Sequence, residues 1–409
     1  MGKYIVMDIV FKAASLNYDQ GSGNYQELKK ITRWNGKQYT FVSRYALRYS
    51  MLETGKEMGI LEIAEGDKLQ LAGEGNKKVI QPATELLISG EILKYPEFDL
   101  FGYLITSTEP QNFRTAPVKI SHAISMTPFN YDALFNANIG MANRVRKKHG
   151  DMSPNPFTAE EHETYYLYSV VIDVNSVGKI EVYLSGKKDV AIAETKEGSY
   201  EFKIGKGKDR IEFFFDTSKP EDIKMSEIVI PLKEDKVEGD GKEKLKNIIT
   251  YDDGLDTFII KYSLNEEKIK ERIEDLIRAI LKLHRSIKGR NEDLTPKLLV
   301  LGLYNNTPYQ TFKDRIALVD ENIEETYDEI TEITEEGKKI VKITHKTVKE
   351  AKPKFRIYGD FEKAEVLKEE KIIEKIGGFL EKGEEEKCIE IEIFKLPEID
   401  IEFSKEENQ

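Results

Sequence analysis

The pattern of apolar and polar positions predicts a chain with several buried strands and few helices. Residues 4–13 are β-branched and apolar, as expected of a buried strand. Residues 164–174 and 297–304 repeat that pattern, and the second of them is apolar enough for a strand buried on both faces. In residues 265–284 the apolar positions recur at helical spacing, with charges on the opposite face. We therefore expect an α+β fold.

A second helix is predicted for residues 41–52, which contain neither Gly nor Pro. Ser43 is placed to cap its start, because a serine oxygen can accept a hydrogen bond from a free amide of the first turn. Arg44 and Arg48 are four residues apart, so they are expected to share one face of this helix.

The remaining segments look like excursions from a core. Residues 56–96 are charged and punctuated by glycine, with short apolar runs (LQLAG, ELLISGEIL) that predict a β-rich insertion. Residues 128–161 have weak periodicity but carry a basic cluster, and residues 175–262 hold several strand candidates. The end of the chain is acidic and closes with an alternating strand, CIEIEIF. This order is compatible with a βαββαβ sheet of the ferredoxin-like or RRM-like kind, decorated by insertions.

Cysteine content and hydropathy exclude several classes of protein. Cys388 is the single cysteine, which excludes an intramolecular disulfide and any site built from several thiolates. The N-terminal residues lack a signal-peptide layout, and no apolar run approaches the roughly 20 residues that cross a bilayer. We expect a cytoplasmic protein with no membrane partner.

Charge is distributed unevenly along the chain. The net charge is −12, but residues 1–150 hold 19 Lys and Arg against 15 Asp and Glu, whereas the rest of the chain is strongly acidic. A mildly basic face on an acidic body is compatible with a nucleic-acid partner.

Few residues suggest catalysis. The five histidines are far apart and none lies in an HExxH pattern, and the GSG at residues 21–23 lacks the rest of a dinucleotide or phosphate loop. The EHE at residues 161–163 consists of residue types that can bind a metal, but the spacing of these residues gives little support for a metal site. We therefore predict a protein that is not an enzyme and has neither cofactor nor metal.

Cations and loop aromatics form a different pattern. Arg44 and Arg48 follow an upstream group of Lys29, Lys30 and Arg33, and the loop TEPQNFRTA presents Phe113 and Arg114. Cations that follow a phosphate backbone, with aromatic rings against bases, are typical of single-strand binding. Ion pairs between these cations and the abundant glutamates are the alternative interpretation.

Several short motifs stand in an order that resembles a known family. They are LNYD at 16–19, Val42-Ser43-Arg44, DLFG at 99–102, SHAIS at 121–125, the tyrosine-rich YYLY at 165–168, and a loop with Lys288, Arg290 and Asn291 between a helix and a buried strand. The chain resembles the backbone subunit of type I CRISPR Cascade complexes, the Cas-seven superfamily, and within it the type I-B DevR-like branch. The resemblance covers most of residues 1–320.

This resemblance implies a hand-shaped subunit with an RRM-like palm. It places the palm at 1–52, 97–126, 163–174 and 263–322, the fingers at 53–96, the thumb at 127–162, an additional β-rich insertion at 175–262 and an acidic C-terminal extension at 323–409. Copies would polymerise along one CRISPR RNA and present it for pairing with target DNA, together with other Cascade subunits. Thumb wedge candidates are Met126, Met141 and Met152.

The motifs and the cation pattern together predict a set of RNA-binding side chains. They are Asn17, Lys29, Lys30, Arg33, Ser43, Arg44, Arg48, Phe113, Arg114, His122, Lys288, Arg290 and Asn291.

Two alternatives stay open. Related type III backbone subunits are implied to cut target RNA with an aspartate in the loop after the first strand, where Asp19 lies. The description of DevR-like proteins as regulators also suggests a DNA-binding autoregulator, although the sequence has no helix-turn-helix signature.

Overall fold

The computed structural model gives an α+β protein in which strands far outnumber helices. It describes residues 2–14, 16–19, 21, 23–75, 78–151, 153–185, 190–194, 200–204, 211–215, 228–229, 246–252, 255, 257–320, 324–333, 339–349, 352–383 and 385–405. The helices are α1 Arg44–Glu57, α2 Thr84–Ser89, α3 Pro96–Phe101, α4 Ile139–His149, α5 Glu266–Leu281 and α6 Glu369–Leu380.

The strands fall into a first half and a second half of the chain. Those of the first half are β1 Lys3–Ala13, β2 Tyr25–Gln26, β3 Lys30–Thr32, β4 Gln38–Val42, β5 Leu69–Ala72, β6 Val79–Pro82, β7 Tyr103–Ile105, β8 Asn112–Arg114, β9 Val118–Ile120, β10 Ala123–Ser125, β11 Ala133–Asn136, β12 Phe157–Glu160, β13 Thr164–Asp173, β14 Lys179–Ser185, β15 Val190–Glu194 and β16 Tyr200–Ile204. Those of the second half are β17 Ile211–Phe215, β18 Ile228–Val229, β19 Lys246–Asp252, β20 Thr257–Ser263, β21 His284–Ile287, β22 Arg290–Asp293, β23 Leu298–Asn305, β24 Ile316–Asp320, β25 Glu324–Ile333, β26 Lys339–Lys349, β27 Lys354–Tyr358, β28 Glu365–Val366, β29 Cys388–Lys395 and β30 Asp400–Ser404.

A central sheet runs in the order β28-β29-β23-β1-β13-β10-β4-β3, and β9 also pairs with β13. β1 lies between β13 and β23 and is antiparallel to both. Every residue of β23 is buried, and nearly all of β1 and β13 is buried too. The three apolar segments predicted as strands are therefore confirmed.

Helices α1 and α5 pack together on one face of this sheet. Leu47 and Met51 of α1 join Ile273 and Ile277 of α5 in one buried cluster with the inward residues of β1 and β23. In chain order α1 lies between β1 and β10, which flank β13 in the sheet, and α5 lies between β13 and β23, which flank β1. This order is compatible with a split βαββαβ unit. The α+β class is confirmed.

Both predicted helices exist with shifted bounds. α1 begins at Arg44, because residues 41 and 42 belong to β4, and it continues to Glu57. Its cap is as predicted, since Ser43 Oγ accepts from the amide of Ala46 at 3.2 Å. Asn265 caps α5 in the same way, accepting from the amide of Lys268 at 2.7 Å.

The segment predicted as a β-rich insertion at 56–96 is mostly not β. LQLAG forms β5, which pairs with β6, but ELLISGEIL forms α2 followed by a 3₁₀ turn. A short apolar run does not distinguish a strand from a buried helix, which explains the error. Leu87 and Leu93 of this segment pack against Val182 of β14 and Tyr262 of β20. The segments at 53–96 and 175–262 therefore share one hydrophobic core.

Asp99 is the buried hub of the DLFG motif. Its side chain is fully buried and lies 2.5 Å from Arg114 Nη2 and 2.7 Å from Arg272 Nη1. It also accepts from the amide of Gly178 at 2.9 Å. At Gly102, with φ +74°, a Cβ atom would lie 2.4 Å from the carbonyl oxygen of Arg114. The motif thus joins α3, β8, α5 and the start of β14.

The C-terminal segment is not a simple extension. β29, which contains the predicted CIEIEIF strand, pairs with β23 and adds to the central sheet. Ile372 and Ile376 of α6 lie in the same buried cluster as α5. Residues on either side of the expected boundary at 322/323 therefore belong to one core.

The segment predicted as a thumb contains a small sheet and a helix. β12 pairs with β11 and β2, and α4 lies between β11 and β12. No residue of α4 is buried. The sequence analysis did not predict this helix, because a helix with no buried face has no apolar stripe.

Candidate nucleic-acid interface

The loop after β1 is fixed against the start of α1. Asn17 Oδ1 accepts from the amide of Ser43 at 2.9 Å, and His122 Nδ1 accepts from the amide of Arg44 at 3.0 Å. These contacts, with the Ser43 cap, order the first turn of a 14-residue helix, whose amide end carries partial positive charge. Three of the predicted site residues, Asn17, Ser43 and His122, therefore meet at one point.

His122 is neutral in this arrangement. Burial of its ring, which contacts Phe41 edge-on, lowers its pKa, and the neighbouring Arg44 guanidinium lowers the pKa further. A neutral imidazole leaves one ring nitrogen free to accept a hydrogen bond, as Nδ1 does here. His122 thus positions Arg44 without adding positive charge of its own.

Arg44 and Arg48 differ in their surroundings. Arg44 is exposed and donates to the hydroxyl of Tyr45 at 3.0 Å. Arg48 is half-buried, with its guanidinium carbon 5.1 Å from the ring centre of Phe101, and this burial lowers its pKa. Arg44 is therefore the cation of this helix that is free to meet a phosphate, whereas Arg48 also packs against the DLFG segment.

The hairpin of β21 and β22 reaches the same loop. Lys288 Nζ lies 4.0 Å from the ring centre of Tyr18 and 2.5 Å from Gln26 Oε1. Arg285 donates to the carbonyl of Leu16 at 2.9 Å, which ties the hairpin to the loop. Arg285 was not among the site residues predicted from the sequence. The only sequence signal for it was its positive charge close to the Lys288 loop.

The other two residues predicted in this hairpin have protein partners. Arg290 Nη1 lies 2.7 Å from each carboxylate oxygen of Glu161, and Asn291 is exposed, with Ser286 Oγ 3.3 Å from its Oδ1. The hairpin is therefore joined to the thumb segment through Arg290.

The upstream cations are mostly paired within the protein. Lys30 Nζ lies 2.5 Å from Glu160 and its side chain is only 14% exposed, so this cation already has a carboxylate partner, and its RNA contact stays a prediction. Lys29 lies 3.7 Å from Asp19. Arg33 is exposed, with its guanidinium carbon 5.7 Å from the ring centre of Tyr39.

Arg114 is not presented to solvent. Its side chain is 8% exposed and pairs with Asp99, and it donates to the carbonyl oxygens of Ser176 and Lys179. The Arg114 guanidinium is therefore already paired with a buried carboxylate, and its RNA contact stays a prediction. Its neighbour Phe113 points the other way on β8 and is 69% exposed.

The three thumb wedge candidates differ in how the structure places them. Met126 packs against the buried cluster of β23 and β27, so it is not a free wedge. Met141 lies on α4 and is 51% exposed. Met152 lies outside the described residues.

The surface of the thumb segment combines exposed apolar side chains with a basic helix end. The exposed large apolar residues are Tyr131, Leu134, Phe135, Ile139, Met141 and Phe157. The basic cluster of α4 is Arg144, Arg146, Lys147 and Lys148, of which the last three lie in the last turn of the helix. Asn138 caps α4 by accepting from the amide of Met141 at 3.2 Å. An asparagine at this position is a sequence signal for the start of a helix, but the weak periodicity of the segment did not indicate one.

Among the described residues, no three His, Cys, Asp or Glu side chains are grouped so that they could hold a metal ion. Within the same residues, no helix combines the length and the apolar character that crossing a bilayer requires.

Sequence comparison matches most of the chain. The family described as "CRISPR-associated negative auto-regulator DevR/Csa2" matches residues 5–327. The protein "CRISPR-associated protein Cas7/Cst2/DevR" of Myxococcus xanthus (strain DK1622) is 28% identical over 168 residues, which are 39% of this chain and 53% of the relative. This chain thus spans about half the length of that curated relative.

Solved structures show a more distant likeness. A chain of a "CRISPR RNA-guided surveillance complex" is 9% identical, with a TM-score of 0.35, 75% of this chain covered and 72% of the other. A chain of a "CRISPR RNA-guided surveillance complex, pre-nicking" is 10% identical, with a TM-score of 0.38, 75% of this chain covered and 80% of the other.

Proposed function

Since this chain belongs to the CRISPR-associated DevR/Csa2 family, we propose that it is a non-catalytic backbone subunit that binds CRISPR RNA. Copies of it polymerise along one guide RNA in a type I Cascade surveillance complex, with other Cascade subunits. The complex presents the guide for pairing with target DNA in antiviral defence, in the cytoplasm.

The observation that carries this proposal is the surface at the start of α1. There the helix amide end, the exposed Arg44 and the Lys288 hairpin come together around the loop after β1. Arg44 and Lys288 are both exposed. Such contacts suit phosphates, which carry no sequence information, and leave base edges free to pair.

The parts of the fold take roles under this proposal. The central sheet with α1 and α5 serves as the palm, the α2 and α3 segment as fingers, and the β11-α4-β12 segment as the thumb. The basic end of α4 adds a second group of cations, outside the palm. Exposed apolar residues beside it offer a surface for guide bases or for the next copy.

Replacing Arg44 by alanine should weaken RNA binding and make it less salt-dependent. Each lost phosphate contact is expected to remove about 0.7 from the slope of log affinity against log salt for a single strand. Arg44→Lys is the matched control, because it keeps the charge and should keep the slope. Fluorescence anisotropy with a labelled guide RNA at several salt concentrations measures both. An unchanged slope in Arg44→Ala would remove this surface from the RNA path.

The endonuclease alternative makes a clear prediction at Asp19. In the structure Asp19 lies 3.7 Å from Lys29, and its amide donates to the carbonyl of Glu27 at 2.8 Å. We expect purified complex to leave a complementary RNA intact with Mg²⁺ present, and Asp19→Ala to change nothing. Metal-dependent cleavage that disappears in Asp19→Ala would establish the endonuclease instead.

The autoregulator alternative is kept because the family description includes the words "negative auto-regulator". It predicts tight, sequence-specific binding of duplex promoter DNA by the chain without any RNA. The backbone proposal predicts that duplex DNA competes poorly with guide RNA in the same anisotropy assay.

A further inference from the structure

Trp34 is an unusual residue of this chain. It is the single tryptophan in the sequence, and its side chain is 96% exposed at the tip of the β3–β4 hairpin. Tryptophan is among the largest contributors to buried apolar area in cores and interfaces. An indole held almost wholly in water is therefore an unused contact surface.

The hairpin tip is fixed by its own hydrogen bonds. Arg33 exchanges bonds with the other side of the turn: its amide donates to Lys37 O at 3.0 Å and its carbonyl accepts from Gly36 N at 3.0 Å. Asn35 Oδ1 accepts from Lys37 N, and its amide group donates to the hydroxyl of Tyr39, both at 3.0 Å. Gly36 has φ +75°, the left-handed conformation that such a turn needs. Trp34 is thus presented from an ordered turn.

The charge around Trp34 has one sign. Residues 28–42 hold four cations and no Asp or Glu, in a chain of net charge −12. Lys29 and Lys30 are paired with Asp19 and Glu160, at the base of the hairpin. Arg33 and Lys37 flank the tip and are exposed, and neither forms an ion pair with a carboxylate of the described residues. The tip therefore offers one ring and two free cations.

We propose that this hairpin tip binds an unpaired base of a single-stranded nucleic acid, with Trp34 stacking on the base and Arg33 and Lys37 contacting the flanking phosphates. An aromatic ring between cations is the arrangement that single-strand binding uses, because every base has a π-face and every linkage a phosphate. The proposal rests on the proposed function and adds a contact to it.

Position in the fold supports this contact. β4 leads from the hairpin directly into Ser43 and α1, and the carbonyl of Gln38 accepts from Phe129 N at 2.8 Å, at the base of the thumb segment. The tip thus belongs to the element that connects the α1 surface with the thumb. A nucleic-acid strand whose phosphates contact the start of α1 would therefore also reach the β3–β4 hairpin.

The single tryptophan makes the test direct. Tryptophan emission of the full chain is recorded as a guide RNA is added, and anisotropy of the labelled RNA reports binding independently. Stacking is expected to quench the emission in step with binding. A complementary DNA strand is then added: quenching with RNA alone assigns the base to the guide, and quenching only after DNA is added assigns it to the target strand. Either result supports the proposal.

Variants test the same contact by affinity. Trp34→Ala should bind about 5- to 150-fold more weakly, the loss expected for one stacked base. Trp34→Phe keeps a ring and should recover part of that loss. Because the indole is exposed, neither change should alter the melting temperature.

Two results would overturn the proposal. The first is binding of the RNA and then of the complementary DNA, both seen by anisotropy, with unchanged emission at both steps and with Trp34→Ala equal to the original chain at both steps. The second is an emission shift that grows with protein concentration without nucleic acid, which would mean that a second copy covers the ring. Absence of any RNA binding would instead defeat the proposed function itself, and this contact with it.

Discussion

Replacing Asp99 by asparagine is expected to lower the free energy of unfolding by about 3–5 kcal/mol, the cost of leaving a buried charge unpaired. The Asp99 carboxylate is fully buried between the guanidinium groups of Arg114 and Arg272, at 2.5 and 2.7 Å. Asparagine keeps the shape and one acceptor oxygen but leaves two buried cations without a counter-charge. The midpoint and slope of chemical denaturation measure the loss.

Asp67→Asn is the matched control for this change. Asp67 is 88% exposed and lies 3.7 Å from Lys68, so the same substitution should cost about 0–1 kcal/mol. If Asp99→Asn were no more destabilising than Asp67→Asn, the ion-pair hub would not be what joins α3, β8 and α5.

Removing the four basic residues of α4 should have the largest effect on RNA binding. The change is to alanine at Arg144, Arg146, Lys147 and Lys148. If each contacts a phosphate, the salt slope falls by up to about 2.8, four times the single-strand increment. No residue of α4 is buried, and alanine favours helix, so the fold should be kept. Anisotropy across a salt series measures the slope, and circular dichroism checks the fold.

A second set of four cations serves as its control. Lys363, Lys368, Lys371 and Lys375 are exposed and lie beyond the residues that the family match covers. Replacing these four by alanine removes the same net charge and should leave the slope nearly unchanged. Equal losses in the two variants would mean that overall charge, and not the thumb helix, sets the affinity.

The sequence predicted those parts of the fold that local pattern determines. β1, β13 and β23 are continuous apolar runs and α5 has a clear apolar stripe, so each was found. Such local patterns do not show which distant segments pair with each other. The pairing of β29 with β23 was therefore not predicted. α4 was not predicted because none of its residues is buried, so its sequence has no apolar stripe.

The parts of the candidate site that depend on contacts between residues close in the sequence were predictable. Ser43 caps its own helix, and Asn17 and His122 contact the start of the same helix, although their RNA-binding role stays a prediction. The sequence did not show that Arg114 and Lys30 are paired, because their partners, Asp99 and Glu160, approach only in the folded chain. The sequence shows that a residue is basic, but it does not show whether that residue forms an ion pair with a carboxylate in the folded chain.

Purification of the chain from cells that express a CRISPR array tests the central claim most directly. The absorbance ratio at 260 and 280 nm, the particle mass and the sequence of any bound nucleic acid are recorded together. If the chain is a backbone subunit, a large particle is expected that contains several copies of the chain and discrete array-derived RNAs. A nucleic-acid-free monomer that also fails to bind added guide RNA would contradict it.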